Sequence, residues 1–182
     1  MKRAIVVPAI LAGAALDELK GWLAVTTTSD DLALTGLLHS ALELCEAFTG
    51  QMPLESLCEE ILSPRNDWQH LVTRPVMAVN GLDALAPDST RTPIFPTDYA
   101  YELEADGTGL VRILRRGASR RFVVRFTAGL ASDWAHLPDG LRQGVLRLAA
   151  YYYGQRDLNE VRSAPPAAVA ALWQPWRRMR LI

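Results

Sequence analysis

The chain has 182 residues, 49% hydrophobic and 21% charged, with a formal net charge of −1. That is apolar side chain enough for one core without disulfides or a structural metal, and so even a charge balance excludes bulk attraction to nucleic acid as the chain's main property. The two cysteines, Cys45 and Cys58, are too few for a disulfide framework and read as small buried residues of a reducing compartment.

The charge is unevenly spread along the chain. Residues 1–60 hold nine acids and three bases, 61–110 seven and three, and 111–182 four and thirteen. Such an asymmetry points either to contact with charged partners or copies of the same chain, or to helix faces that are merely solvated.

Met1–Ala15 has the charged start and small residues of a signal peptide, but its apolar run is short and Pro8 interrupts it, so an extended segment is expected. No apolar run approaches the roughly 20 residues of a membrane span. A first helix is predicted over about 15–24, with Leu16, Leu19 and Leu23 on one face. Ser29 is placed as an N-cap, with Asp30 and Asp31 in the first turn of a helix over about 30–49. Leu34, Leu37, Leu38, Ala41, Cys45 and Phe48 form its apolar stripe, and Gly50 stops it.

The middle of the chain reads as β, over about 57–127. Residues 56–62 fit a strand or a turn of helix. Residues 71–79 alternate in polarity, with Pro75 marking an edge strand or a bulge. Asn80-Gly81 and Asp106-Gly107 are turn dipeptides, and residues 83–97 read as a mobile loop rich in Pro, Asp, Ser and Thr. Residues 99–104 and 109–114 pair as a hairpin. Phe122, Val124 and Phe126 line one face of a further strand. Arg112, Arg115, Arg116, Arg120, Arg121 and Arg125 gather around an expected hairpin turn at 117–119. They either guard a sheet edge or contact phosphates or an acidic partner.

Helical signals return over about 139–154, with Leu141, Val145, Leu148, Ala149 and Tyr152 on one face. Tyr151, Tyr152 and Tyr153 point in three directions, so at least one serves a second contact. A last helix is predicted over about 166–174 after Pro165-Pro166, followed by an aromatic, basic tail. The fold class is therefore α+β: a small helical bundle whose flanking helices pack together across a β-rich insertion.

The residues point to no enzyme, cofactor or metal. His39, His70 and His136 lack ligand neighbours at metal-binding spacing. Ser132, Asp133 and His136 allow a hydrolase to be imagined, but no nucleophile elbow accompanies them. Glu59 and Glu60 are adjacent, and in a strand they would face opposite ways. Gly107-Thr-Gly109 has no helix behind it to bind phosphate.

Several short motifs, in order, carry a resemblance: Leu16-Asp-Glu-Leu-Lys-Gly-Trp-Leu23, Glu46-Ala-Phe-Thr-Gly50, Arg74-Pro-Val76, Val124-Arg-Phe-Thr-Ala-Gly129, Pro138–Gln143 with Tyr153–Arg156, and Ala171–Arg177. Together they resemble the head–tail connector (adaptor) proteins of long-tailed bacteriophages and the related adaptors of phage-like gene transfer agents. Leu130 stands where those proteins carry an aromatic residue, and residues 1–15 and 83–97 have no counterpart.

The resemblance implies a structural subunit of a virion or phage-like particle, made in the host cytoplasm. It would be one adaptor domain over 1–182, with a β insertion at 66–128 and a docking tail at 173–182. Such adaptors form a ring of about a dozen copies under the portal. The ring extends the DNA channel, with genomic DNA passing through the lumen without sequence specificity, and receives a stopper or the next connector or tail protein. Carried over, portal binding falls on Trp173, Trp176, Arg177, Arg178, Met179, Arg180, Leu181 and Ile182. From the charge asymmetry, the contact between subunits is expected at Asp30, Asp31, Glu43, Arg142, Arg147, Tyr153 and Arg156. The alternative is a non-specific nucleic-acid-binding module built on the Arg112–Arg125 hairpin.

Overall fold

The computed structural model describes residues 3–11, 13–115, 117, 119–155 and 164–178. The chain forms two compact units, Met1–Ala9 with Glu55–Gly129, and Ile10–Leu54 with Leu130–Ile182. The fold is α+β.

The first unit is β-rich. Its strands are β1 (Arg3–Val7), β2 (Ser56–Leu62), β3 (Gln69–His70), β4 (Val76–Leu85), β5 (Arg91–Pro93), β6 (Tyr99–Leu103), β7 (Gly109–Ile113) and β8 (Phe122–Ala128). They make a five-stranded sheet in the order β1-β2-β8-β4-β5 and a three-stranded sheet in the order β3-β7-β6, with every strand pair antiparallel. β8 lies in the middle of the larger sheet because its alternating Phe122, Val124 and Phe126 need covering, and all three are wholly buried. Cys58, Glu60 and Leu62 of β2 stand opposite Phe126, Val124 and Phe122.

Glu60 is buried in this apolar setting because its carboxylate is satisfied. It accepts hydrogen bonds from the Val72 and Thr73 amides, both at 2.9 Å, and from the Thr73 hydroxyl at 2.7 Å. The adjacent Glu59 faces the other way, toward Arg91 and Arg125.

Three expectations for this region are corrected. Asn80-Gly81 is no hairpin turn: it lies inside β4, where pairing with β8 slips register between Val79 and Gly81, so the glycine marks a bulge. Residues 83–97 are not a loop throughout, because Asp83–Leu85 completes β4 and pairs with β5, and a 3₁₀ turn follows at Pro96–Asp98. The arginine-rich stretch is not a hairpin either. β7 and β8 belong to different sheets, so residues 114–121 connect two sheets and do not turn one strand back on its neighbour. Of these arginines, Arg115 lies near Asp98 and Arg125 is held by Glu59 and Asp83, while Arg116 lies outside the described residues.

The Asp106-Gly107 turn is present. Gly107 has φ 79°, and a Cβ there would also overlap Pro75, so both backbone angle and space call for glycine. β6 and β7 pair from Tyr99·Ile113 to Leu103·Gly109.

The second unit is helical, with α1 (Gly13–Leu23), α2 (Asp31–Thr49), α3 (Asp139–Gly154) and α4 (Ala167–Trp173), the last continued by a 3₁₀ turn at Gln174–Trp176. Helices from both sides of the β segment thus share one core, lined by Leu19, Leu34, Leu38, Cys45, Leu141, Val145, Leu148 and Trp173. α2 ends on Gly50, in the left-handed region at φ 73°, whose amide bonds the Glu46 carbonyl at 2.8 Å. Its start differs from expectation. Asp30, not Ser29, occupies the cap position; its carboxylate makes no cap bond and accepts a hydrogen bond from the Tyr153 hydroxyl at 2.6 Å.

Candidate docking surface

The C-terminal segment is fastened to the helical unit by a series of specific contacts. Pro166 sets the start of α4, where a missing amide hydrogen costs nothing. One turn later Val169, and then Trp173, are buried. The Trp173 indole donates to the Leu141 carbonyl at 3.3 Å and lies with its ring centre 6.0 Å from that of Phe48 on α2. It passes over Gly144 on α3, where any Cβ would overlap the indole.

Beyond Trp173 the chain runs along the C-terminal end of α2. The Gln51 side-chain amide donates to the Trp176 carbonyl at 2.6 Å, and the Arg178 amide to the Thr49 carbonyl at 3.1 Å. The Arg177 guanidinium stands 5.3 Å over the Phe48 ring, a cation–π contact. Trp176 is half-buried and Arg177 exposed, so the described part of the tail ends in a basic, aromatic surface.

The residues expected to touch the portal therefore divide. Trp173 is fully buried and belongs to the core of its own unit, which leaves it no surface to offer a partner. Trp176, Arg177 and Arg178 retain accessible surface. Met179, Arg180, Leu181 and Ile182 lie outside the described residues.

Most residues expected between subunits already have partners in their own chain. Asp30 accepts from Tyr153, and Asp31 pairs with Lys20 Nζ at 2.7 Å. Arg142 pairs with Asp139 at 2.8 Å and lies 3.9 Å from Glu18. Arg147 is exposed, with its guanidinium 5.9 Å from the Trp22 ring centre. Glu43 is exposed on α2. Arg156 lies outside the described residues. Helix spacing placed these side chains on helix faces, but could not say that α1 would supply Lys20, Glu18 and Trp22 to meet three of them.

Trp134, which sequence reasoning passed over, is buried in the loop before α3 and donates its indole hydrogen to Glu18 of α1 at 2.9 Å. Its only sequence signal is a lone tryptophan between turn residues.

Ser132, Asp133 and His136 do meet, but in the wrong order for hydrolysis. The Ser132 hydroxyl and the His136 ring nitrogen both contact the Asp133 carboxylate, at 3.3 and 2.8 Å, so the base is not set to take the serine proton. Asp133 also accepts from the Ala135 and His136 amides, which makes it a loop brace. The His136 hydrogen bond holds its carboxyl below the usual range. Among the described residues, no three His, Cys, Asp or Glu side chains converge as a metal site, and no helix is long and apolar enough to cross a membrane.

No family model matches the chain, and no curated protein does. Solved structures do match. The chain is similar over its whole length to a chain in the neck of an empty gene transfer agent (GTA) particle computed with C6 symmetry, at 26% identity, TM-score 0.77 and 98% of that chain covered. It is similar to a chain in the neck of the native GTA particle computed with C12 symmetry, at 26% identity and TM-score 0.74. A third match, from the virion of the native GTA particle, has 25% identity and TM-score 0.74. In both of these the match again spans all of this chain and 98% of the other.

Proposed function

We propose that this chain is a structural subunit of the neck of a phage-like particle. The observation that carries the reading is the end-to-end match with neck chains of GTA particles, in which both units and the C-terminal segment have counterparts. Within the neck its role is that of a head–tail connector: an adaptor that forms a ring under the portal, extends the DNA channel and receives the next connector or tail protein. The C12 symmetry of a matching neck supports a ring of about twelve. Genomic DNA passes through without sequence specificity. A weakly charged channel suits that role, because phosphate contacts that attract DNA also slow its release.

The anchor for the portal is the tail beyond the buried Trp173: Trp176, Arg177 and Arg178, with Met179–Ile182. Tryptophan and arginine are favoured interface anchors because each covers a large area and makes directed polar contacts. Among the described charged residues assigned to neighbouring subunits, Glu43 and Arg147 are the exposed ones.

Capture by the portal oligomer of the same particle tests the reading, using the full chain and a chain ending at Arg178. Capture of the full chain with loss on truncation supports both role and anchor. Capture of both keeps the role and moves the anchor off the last four residues. Capture of neither ends the connector reading.

A further inference from the structure

The β-rich unit carries opposite charge at its two ends. Residues 99–111 hold three acids and no base, and 112–121 hold five arginines and no acid. The tip of the β6–β7 hairpin, with Glu104 and Asp106, lies beside the start of β4. There the Val76 amide donates to the Gly107 carbonyl at 2.9 Å, and Val76 pairs with Ala128, the last residue of β8. Glu102 stands on β6 just before this tip. The arginines lie at the other end. Arg112 and Arg115 flank the open end of the hairpin, where the Leu114 and Arg115 amides donate to the Asp98 carbonyl. Arg120 and Arg121 lead into β8, and the Leu85 amide donates to the Arg121 carbonyl at 2.9 Å. β8 runs seven residues from Phe122 to Ala128, so the two ends lie about 20 Å apart.

Few of these charges are met within the chain. Glu102, Glu104, Arg112, Arg120 and Arg121 are exposed, and among the described residues none has a side-chain hydrogen bond or ion pair. Arg115 reaches only Asp98, at 3.6 Å. Arg74, beside Pro75 at the acidic end, and Asp88 and Asp98 at the basic end reduce the two surpluses without cancelling them. Both ends also expose apolar side chains: Leu103 at 42% next to the tip, and Phe95 and Leu114 at 74% and 45% next to the arginines. Apolar surface rimmed by charge is the make-up of an interface.

We infer that the acidic hairpin tip of one copy, with Glu102 and Glu104, docks against Arg115, Arg120 and Arg121 of the next copy of this chain. Charge complementarity selects the occupant. DNA would answer the arginines and be repelled by the tip, and a basic partner would do the reverse. A neighbouring copy answers both, because every chain brings one end of each sign. The contact is head-to-tail, and a closed ring leaves no end unmet. This inference rests on the neck reading for its ring, and gives that ring a contact.

Cysteine cross-linking on the portal oligomer tests it. Chains carrying Glu104→Cys are mixed with chains carrying Arg120→Cys or Arg121→Cys, joined by a short bis-maleimide and resolved on denaturing gels. All three positions are exposed, so the variants should fold, and the native Cys45 and Cys58 are buried and should not react. The expected result is a covalent dimer in mixed samples only, and a ladder of multimers from a chain carrying Glu104→Cys and Arg121→Cys together. Charge reversal is the second arm. Glu102→Lys with Glu104→Lys, or Arg120→Glu with Arg121→Glu, should raise the chain concentration needed to fill the portal about tenfold. An equal mixture of the two reversed chains should restore filling, because each then meets the opposite sign on its neighbours. Portal capture without links, or with no rescue by mixing, overturns the pairing and leaves the neck reading standing. If the arginine reversal instead only releases a short DNA duplex from the assembled ring, the arginines face DNA and the pairing is again overturned. Links between free chains without portal capture keep the pairing and remove the neck reading. Neither links nor capture removes both.

Discussion

Gly144 on α3 and Trp173 on α4 are a fitted pair: the indole occupies the space in which any side chain at 144 would begin. Trp173 is wholly buried there, so the tail cannot dock unless position 144 is bare. Gly144→Ala should therefore destabilise the chain by about 1–3 kcal/mol through overpacking. Trp173→Ala should cost about 3–5 kcal/mol, since it empties a large site. The two effects should not add, because once the indole is gone the alanine has room. Urea unfolding of both single variants and the double variant checks this, and additive losses would disprove the pairing.

Trp134 and Glu18 join the loop before α3 to α1 through one part-buried hydrogen bond. Glu18→Ala leaves the buried indole hydrogen without its carboxylate partner, which is itself partly exposed, and should lower stability by about 1–2 kcal/mol. Glu18→Gln keeps an acceptor and should lose less. Thermal unfolding of the two variants against the parent chain distinguishes them.

The helices were the most legible part of the sequence. The four predicted segments match α1–α4 to within one or two residues at most ends, because apolar spacing, prolines and Gly50 are local signals. The 99–114 hairpin was legible for the same reason. Sheet assignment was not. Asn80-Gly81 has turn chemistry, yet pairing with β8 on one side holds it in a strand, and no local pattern reports that β7 and β8 join different sheets. The candidate site was less legible. The resemblance implied a docking role for the whole tail, but Trp173 and Trp176 look alike in sequence, and only the bare surface at Gly144 shows which one belongs to the core.

Glu59 makes stability depend on acid. Arg91 donates to it twice, at 2.7 and 2.9 Å, and Arg125 once at 3.1 Å. The Arg91 hydrogen bonds, helped by Arg125, hold the carboxyl below its ordinary 4.5 against the opposing effect of burial. With a lower pKa folded than unfolded, the unfolded chain binds more protons in the window between the two values. The contribution is thus present above about 4.5 and is lost as pH falls through the folded value. Glu59→Gln should flatten the fall in melting temperature between about pH 6 and pH 3. An unchanged slope would show that other carboxylates set it.

Cys45 should be inert. Burial, aided by the neighbouring Glu46, pushes its thiol up to about 12, so almost no thiolate forms at neutral pH. Cys58 is equally buried. A coloured thiol reagent should label neither in the folded chain and both in urea. Fast labelling of the folded chain would mean that the α2 stripe opens.

Where the chain is cut should separate folding from docking. Ending it at Leu172 removes Trp173, and with it the contacts to Phe48, Leu141 and the Gly144 surface. It also removes the backbone bonds that Trp176 and Arg178 make with Gln51 and Thr49. That truncation should cost at least as much as Trp173→Ala, about 3–5 kcal/mol, a large share of a domain's total stability. Ending the chain at Arg178 keeps all of these contacts and should lower the melting temperature less than ending it at Leu172. Loss of portal capture with the longer truncated chain then reports on docking itself, whereas the same loss with the shorter one reports mainly on unfolding. If the chain ending at Leu172 melted like the full chain, the tail would contribute nothing to the core, and Trp173 would return to the residues available to a partner.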